Sequence, residues 1–136
     1  MMSIAAPDML YTALVTLLAL VLYMYMIIRV GQVRGKCGIA APAQTGDPML
    51  ERAIRVHLNT LEAMPVFLGS LWLAALYFGG YIPAILGAVW IIARIIYMQG
   101  YMADPKKRSV GFSIGAVAMI LNLLLAFFGV ISALMI

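Results

Sequence analysis

The chain has 136 residues, of which 65% are hydrophobic and only 10% charged, and its mean hydropathy is +1.06. Soluble domains carry roughly 25% charged residues, so a soluble globular protein is excluded, and the length suits a single domain. The formal charge of +4 rests on 9 Lys+Arg against 5 Asp+Glu; with one cysteine, Cys37, and one histidine, His57, no internal disulfide and no cysteine or histidine metal cluster can form.

Residues 9–28 are uncharged and at 1.5 Å per residue reach the ~30 Å of a bilayer's hydrocarbon core, which predicts a first transmembrane helix over 8–34. A signal peptide has a basic start, a shorter apolar stretch and a small-residue cleavage site. Here Asp8 precedes a longer run, which is therefore expected to persist in the mature protein. Residues 35–47, with their glycines and Pro42, read as a loop. Asp47 followed by Pro48, with Glu51 in the next turn, is a helix start: an N-cap, a first-turn proline and a negative charge at the positive helix end. A second helix is predicted over 48–78.

Between residues 63 and 103 the only charge is Arg94, and one straight helix there would be about 60 Å long, twice the bilayer. Gly79-Gly80-Tyr81-Ile82-Pro83 supplies the turn, which predicts a third helix over 83–103. The polar stretch Asp104-Pro105-Lys106-Lys107-Arg108 leads to a fourth over 107–135. The result is a single-domain, all-α, integral membrane bundle of four helices. No alternation of apolar and polar residues with turn signals points to a barrel.

The basic residues lie between helices one and two (Arg29, Arg34, Lys36, Arg52, Arg55) and between three and four (Lys106, Lys107, Arg108). By the positive-inside rule both connections face the cytoplasm and both termini lie opposite. No polar, foldable domain presents these charges to nucleic acid, which is excluded as a partner.

Arg55, Asn59 and Glu62 fall on one stripe of helix two, with Arg52 at its edge and His57 pointing elsewhere. Counting along straight helices from the Gly79 turn, Glu62 lies roughly 6 Å inside the cytoplasmic boundary of the core and Asn59 near that boundary. On helix three Arg94 comes near mid-membrane, Tyr97 at the depth of Glu62 and Tyr101 at that of Asn59; the three share a face. Charges at this depth face one another or a wet cavity, and Glu62 and Arg94 are the natural pair, either as a structural strut or within a site. Arginines, an amide, a carboxylate and phenols together suit a small zwitterionic ligand with more than one carboxylate and do not suit a metal.

The segment 51–65, in the pattern E-R-x-x-R-x-x-x-N-x-x-E-x-x-P, resembles the MAPEG family, the membrane-associated proteins of eicosanoid and glutathione metabolism. So does Ala93-Arg94-Ile95-Ile96-Tyr97-Met98-Gln99-Gly100-Tyr101 with Arg108 seven residues on, and so does Gly31-Gln32-Val33-Arg34. The resemblance covers nearly the whole chain and implies a homotrimer that binds glutathione as co-substrate between neighbouring copies near the cytoplasmic face. It implies that Arg55, Asn59, Glu62, Tyr97 and Tyr101 bind the tripeptide, that Arg34 joins them from a neighbouring copy or from helix one, and that Arg108 activates the thiol. Arg52 and Arg94 take supporting places. Free thiols have pKa ≈ 8.5, and a guanidinium favours the nucleophilic thiolate. A lipophilic electrophile would approach from the bilayer.

Ala63, Leu58 and Phe112 depart from the leukotriene and prostaglandin branches, so the implied activity is a general glutathione transferase or peroxidase rather than an eicosanoid enzyme. Two other readings are a non-catalytic lipid-binding or scaffold member, against which the retained Arg55, Asn59, Glu62 and Arg108 argue, and a small multidrug transporter. The latter would need an acidic residue within helix one, which has none after Asp8. Gly111 and Gly115 form a GxxxG that fits a close helix contact. Pro65 reads as a kink, Cys37 and His57 as incidental, and the 11 methionines as packing.

Overall fold

The structure is a computed structural model and describes residues 6–136. It contains α1 (Pro7–Cys37), α2 (Pro48–Tyr77), α3 (Ile82–Ala103), a 3-10 turn (Pro105–Arg108) and α4 (Ser109–Leu134). All four α-helices are long and apolar enough to cross a membrane, and large apolar side chains such as Leu17, Val21, Leu76, Ile92, Leu124 and Phe128 cover the outside. In water such a surface would aggregate; in lipid it is the ordinary exterior of a helix bundle. The chain is an integral, multi-pass membrane protein.

Local chemistry sets the helix ends. Pro7 sits in the first turn of α1, and Gly38 closes its other end in the left-handed conformation (φ 70°), with its N–H donating to the Arg34 carbonyl. That cap carries α1 three residues beyond the predicted end at 34, because a glycine adopts positive φ without steric cost. Asp47 caps α2 as its sequence predicts: Oδ1 accepts from the N–H of Met49 (2.8 Å) and of Leu50 (3.3 Å). The helix then runs unbroken past Pro65 to Tyr77. The turn to α3 passes through Gly79 and Gly80, both at positive φ, and the Gly80 N–H donates to Asp8 Oδ2 at 3.1 Å, which fastens this turn to the start of α1. Asp104 Oδ1 accepts from Lys106 N–H and organises Pro105–Arg108 as one 3-10 turn, so α4 begins two residues later than predicted.

Helices α2 and α3 form the middle of the bundle; α1 packs against both from one side and α4 from the other. The Phe67 and Trp90 rings stack at 3.8 Å between centroids and anchor a core with Val15, Ala19, Leu71 and Ala118. A second cluster of Val33, Leu50, Ala53 and Ile54 closes the end where the basic connections lie. Trp72 Nε1 donates to Thr16 Oγ1 at 2.9 Å, and Asn122 Nδ2 to the Pro83 carbonyl at 3.1 Å, so polar groups inside the bundle tie helices together. Helix α4 approaches α3 backbone to backbone at Gly111, where any side chain would collide with Tyr97 N and the Ala93 carbonyl. This contact places the start of α4 beside the tyrosines of α3.

Candidate functional site

Arg55 and Asn59 stand one turn apart on α2, Tyr97 and Tyr101 one turn apart on α3, and Arg108 ends the 3-10 turn. With Ser109, Phe112 and Ser113 from the start of α4 they line one cavity of about 380 Å³. Four of the residues predicted from spacing, and Arg108, which the resemblance added, are thus brought together by three elements. The Gly111 contact makes this possible, since a bulkier residue there would push Arg108 and α4 away from Tyr97. Tyr97 is buried, with its ring tilted against Tyr101 (centroids 5.7 Å apart) and Phe112 (6.3 Å).

Glu62 lies one turn further along α2, and its Oε1 is 3.7 Å from Arg55 Nη1, with both side chains more than half exposed. Its expected pairing with Arg94 does not occur. Arg94 instead donates through Nη1 to Asn59 Oδ1 at 2.7 Å and Thr60 Oγ1 at 3.5 Å. Its guanidinium carbon lies 4.9 Å from the Tyr97 ring centre and 5.3 Å from that of Trp90. The reason is rotational. At about 100° per residue, Thr60 is turned from Asn59 to one side and Glu62 about 60° to the other, so α3 meets the Asn59–Thr60 face and Glu62 is carried outward.

Two further arginines are occupied elsewhere within the chain. Arg34 Nη1 donates to the carbonyls of Ala43 (2.6 Å) and Ile39 (3.3 Å), bracing the 38–47 loop outside the cavity. Arg52 donates to the Met102 and Ala103 carbonyls and so satisfies the end of α3. His57 stacks on Tyr23 of α1 at 5.1 Å, away from the cavity. Ser109 and Ser113 are further lining residues; their i, i+4 spacing puts both hydroxyls on one face of α4, a signal that the sequence carries but that does not by itself point to a site. The cavity therefore carries two guanidinium groups, with one carboxylate at its edge, beside hydroxyl, phenol and amide groups. Such a set binds a small anion or zwitterion through charge-assisted hydrogen bonds.

The MAPEG family model matches residues 12–128. The chain belongs to the MAPEG family. Among MAPEG relatives, an uncharacterized protein of Synechocystis is 47% identical over 111 residues, covering 82% of this chain and 81% of the relative. Human microsomal glutathione S-transferase 2 is 36% identical over 117 residues (85% and 80%), and bovine leukotriene C4 synthase 34% over 120 residues (88% and 80%). The match reaches from α1 into α4, so every residue that lines the cavity lies within the shared MAPEG region.

Proposed function

We propose that the chain is a membrane-embedded glutathione transferase that joins the glutathione thiolate to lipophilic electrophiles. The observation that carries this reading is the convergence of Arg55, Asn59, Tyr97, Tyr101 and Arg108 on one cavity of a MAPEG chain. The names of its relatives, a glutathione S-transferase and leukotriene C4 synthase, support glutathione as the co-substrate.

In this reading Arg55 and Asn59 bind carboxylates of the tripeptide and Glu62 its ammonium group, while Tyr97 and Tyr101 donate phenolic hydrogen bonds. The Arg108 guanidinium favours the thiolate over the thiol by its positive charge. The thiol proton leaves to water, the sulfur lone pair forms a bond to the electrophilic carbon, and the leaving group departs with its bonding electrons or an epoxide opens. An apolar groove on the α3–α4 face, lined by Leu86, Val89, Ile114, Val117 and Leu121, shares Ser113 with the polar cavity. It gives a lipid-soluble electrophile a path from the bilayer to the sulfur.

The Arg55–Glu62 pair is exposed on the surface of the single chain, and counting along the helix puts Glu62 just inside the hydrocarbon core, where a charge facing lipid is unfavourable. A second copy packed over it removes that cost, which supports a homotrimer with sites between copies. Arg34, held outside its own chain's cavity, would then serve a neighbour's. The basic connections at the cavity's end of the bundle support a cytoplasmic orientation for it, with both termini opposite.

Calorimetric titration of the detergent-solubilised protein with glutathione, followed by turnover with 1-chloro-2,4-dinitrobenzene, tests the proposal. Saturable binding and conjugate formation are expected; protein that binds glutathione without turning over any electrophile would instead be a non-catalytic member.

A further inference from the structure

Arg94 is a cation for which the described residues provide no carboxylate. Only 3% of it is exposed, its Nη1 donates to Asn59 and Thr60, its face lies against Tyr97 and Trp90, and its Nε–H is buried without a partner. Glu62, the nearest acid along α2, is turned away to Arg55. A guanidinium has donors only, so the Asn59 amide must direct its oxygen at Arg94, and the 2.7 Å contact is as short as a charge-assisted bond. The two donors of the Asn59 NH2 group are thereby left for the cavity that Asn59 lines.

Thr60 cannot take over this duty. Its hydroxyl proton is committed to the Val56 carbonyl at 2.9 Å, leaving only a lone pair for Arg94. Without the guanidinium, the nearly symmetrical amide could turn over and offer the cavity an acceptor, which repels an anion.

We propose that Arg94 is a positioning residue that presets the Asn59 amide as a hydrogen-bond donor for a carboxylate of the bound ligand, which, on the glutathione reading above, is one of the tripeptide's two. Arg94 lies beneath the cavity lining and touches no reacting atom; its effect reaches the ligand through Asn59.

Calorimetry with glutathione and steady-state kinetics on Arg94→Met, Arg94→Lys, Asn59→Ala and the double variant Arg94→Met/Asn59→Ala provide the test. Arg94→Met is expected to raise Kd and KM for glutathione about tenfold while kcat at saturating glutathione stays within about threefold, and Arg94→Lys to restore most of the affinity. Asn59→Ala should cost less affinity in the Arg94→Met background than in the wild type, because the two residues act as one unit. A folded Arg94→Met protein with wild-type affinity, or costs that simply add, would overturn the inference.

Asn59→Asp decides the matter if Arg94→Met fails to fold. Its carboxylate would pair with Arg94 and raise the Tm without ligand, while loss of the NH2 donors weakens glutathione binding; a lowered Tm, or unchanged affinity, would overturn the inference. If wild-type protein gives no heat with glutathione, the glutathione reading fails by itself. The Tm of Asn59→Asp then still decides whether Arg94 sets the amide.

Discussion

Arg94 and Glu62 mark the boundary between what residue spacing and what three-dimensional packing determine. Their depths follow from counting along straight helices, and counting brings them close. Rotation about the α2 axis then decides that Arg94 meets Asn59 and Thr60, and that Glu62 meets Arg55 on the outer face. The stripe Arg55, Asn59 and the pair Tyr97, Tyr101 were legible because i, i+4 spacing on one helix needs no knowledge of its neighbour. Ser109 and Ser113 were not, because a hydroxyl has no distinctive signature until Arg108 is seen beside it. Glu62→Gln is expected to raise the Kd for glutathione about tenfold, since it removes a charged partner for the ligand's ammonium group. Glu51→Gln changes an exposed residue in the first turn of α2, outside the cavity, and should leave the Kd unchanged. Parallel calorimetric titrations of the two variants check the pair; equal effects would contradict the placement of Glu62 at the site.

Among the elements, α2 was the most legible, because Asp47, Pro48 and Glu51 act locally and the observed cap is the predicted aspartate. The 3-10 turn at 105–108 shows in the sequence only as a polar connection, since its order depends on one aspartate side chain and on packing against α3. The GxxxG at the start of α4 has unequal halves. A methyl group at Gly111 would run into the α3 backbone, whereas at Gly115 it would meet the Ala93 methyl at an ordinary 3.5 Å. Overpacking of this kind costs about 1–3 kcal/mol. Gly111→Ala should therefore lower the Tm in detergent by several degrees and weaken glutathione binding, because Arg108 moves with the helix. Gly115→Ala should do neither; thermal scans and titrations on both variants measure the difference.

At the scale of the whole molecule, scarcity of charge told more than abundance of apolar residues. Nearly every charged side chain either marks a connection or belongs to the polar cluster, so four spans and one site were readable together. Assembly was not readable from hydropathy, because an apolar helix face looks the same against lipid or against another copy. If Arg34 of one copy serves the cavity of the next, Arg34→Ala and Arg108→Ala should each lose activity, and co-expressing them should restore conjugation in mixed assemblies, some of whose cavities then hold both wild-type arginines. Activity no higher than that of the separate variants mixed after purification would confine each site to one chain.

On the proposed function, Arg108 turns bound glutathione into a thiolate at the cavity between α2, α3 and α4. Ultraviolet difference absorbance on adding glutathione to the purified protein tests it most directly. A thiolate band should appear with wild-type protein and be lost in Arg108→Ala, in samples where calorimetry shows glutathione bound. A band of equal size in both, or none in the wild type with glutathione bound, would rule out this role for Arg108.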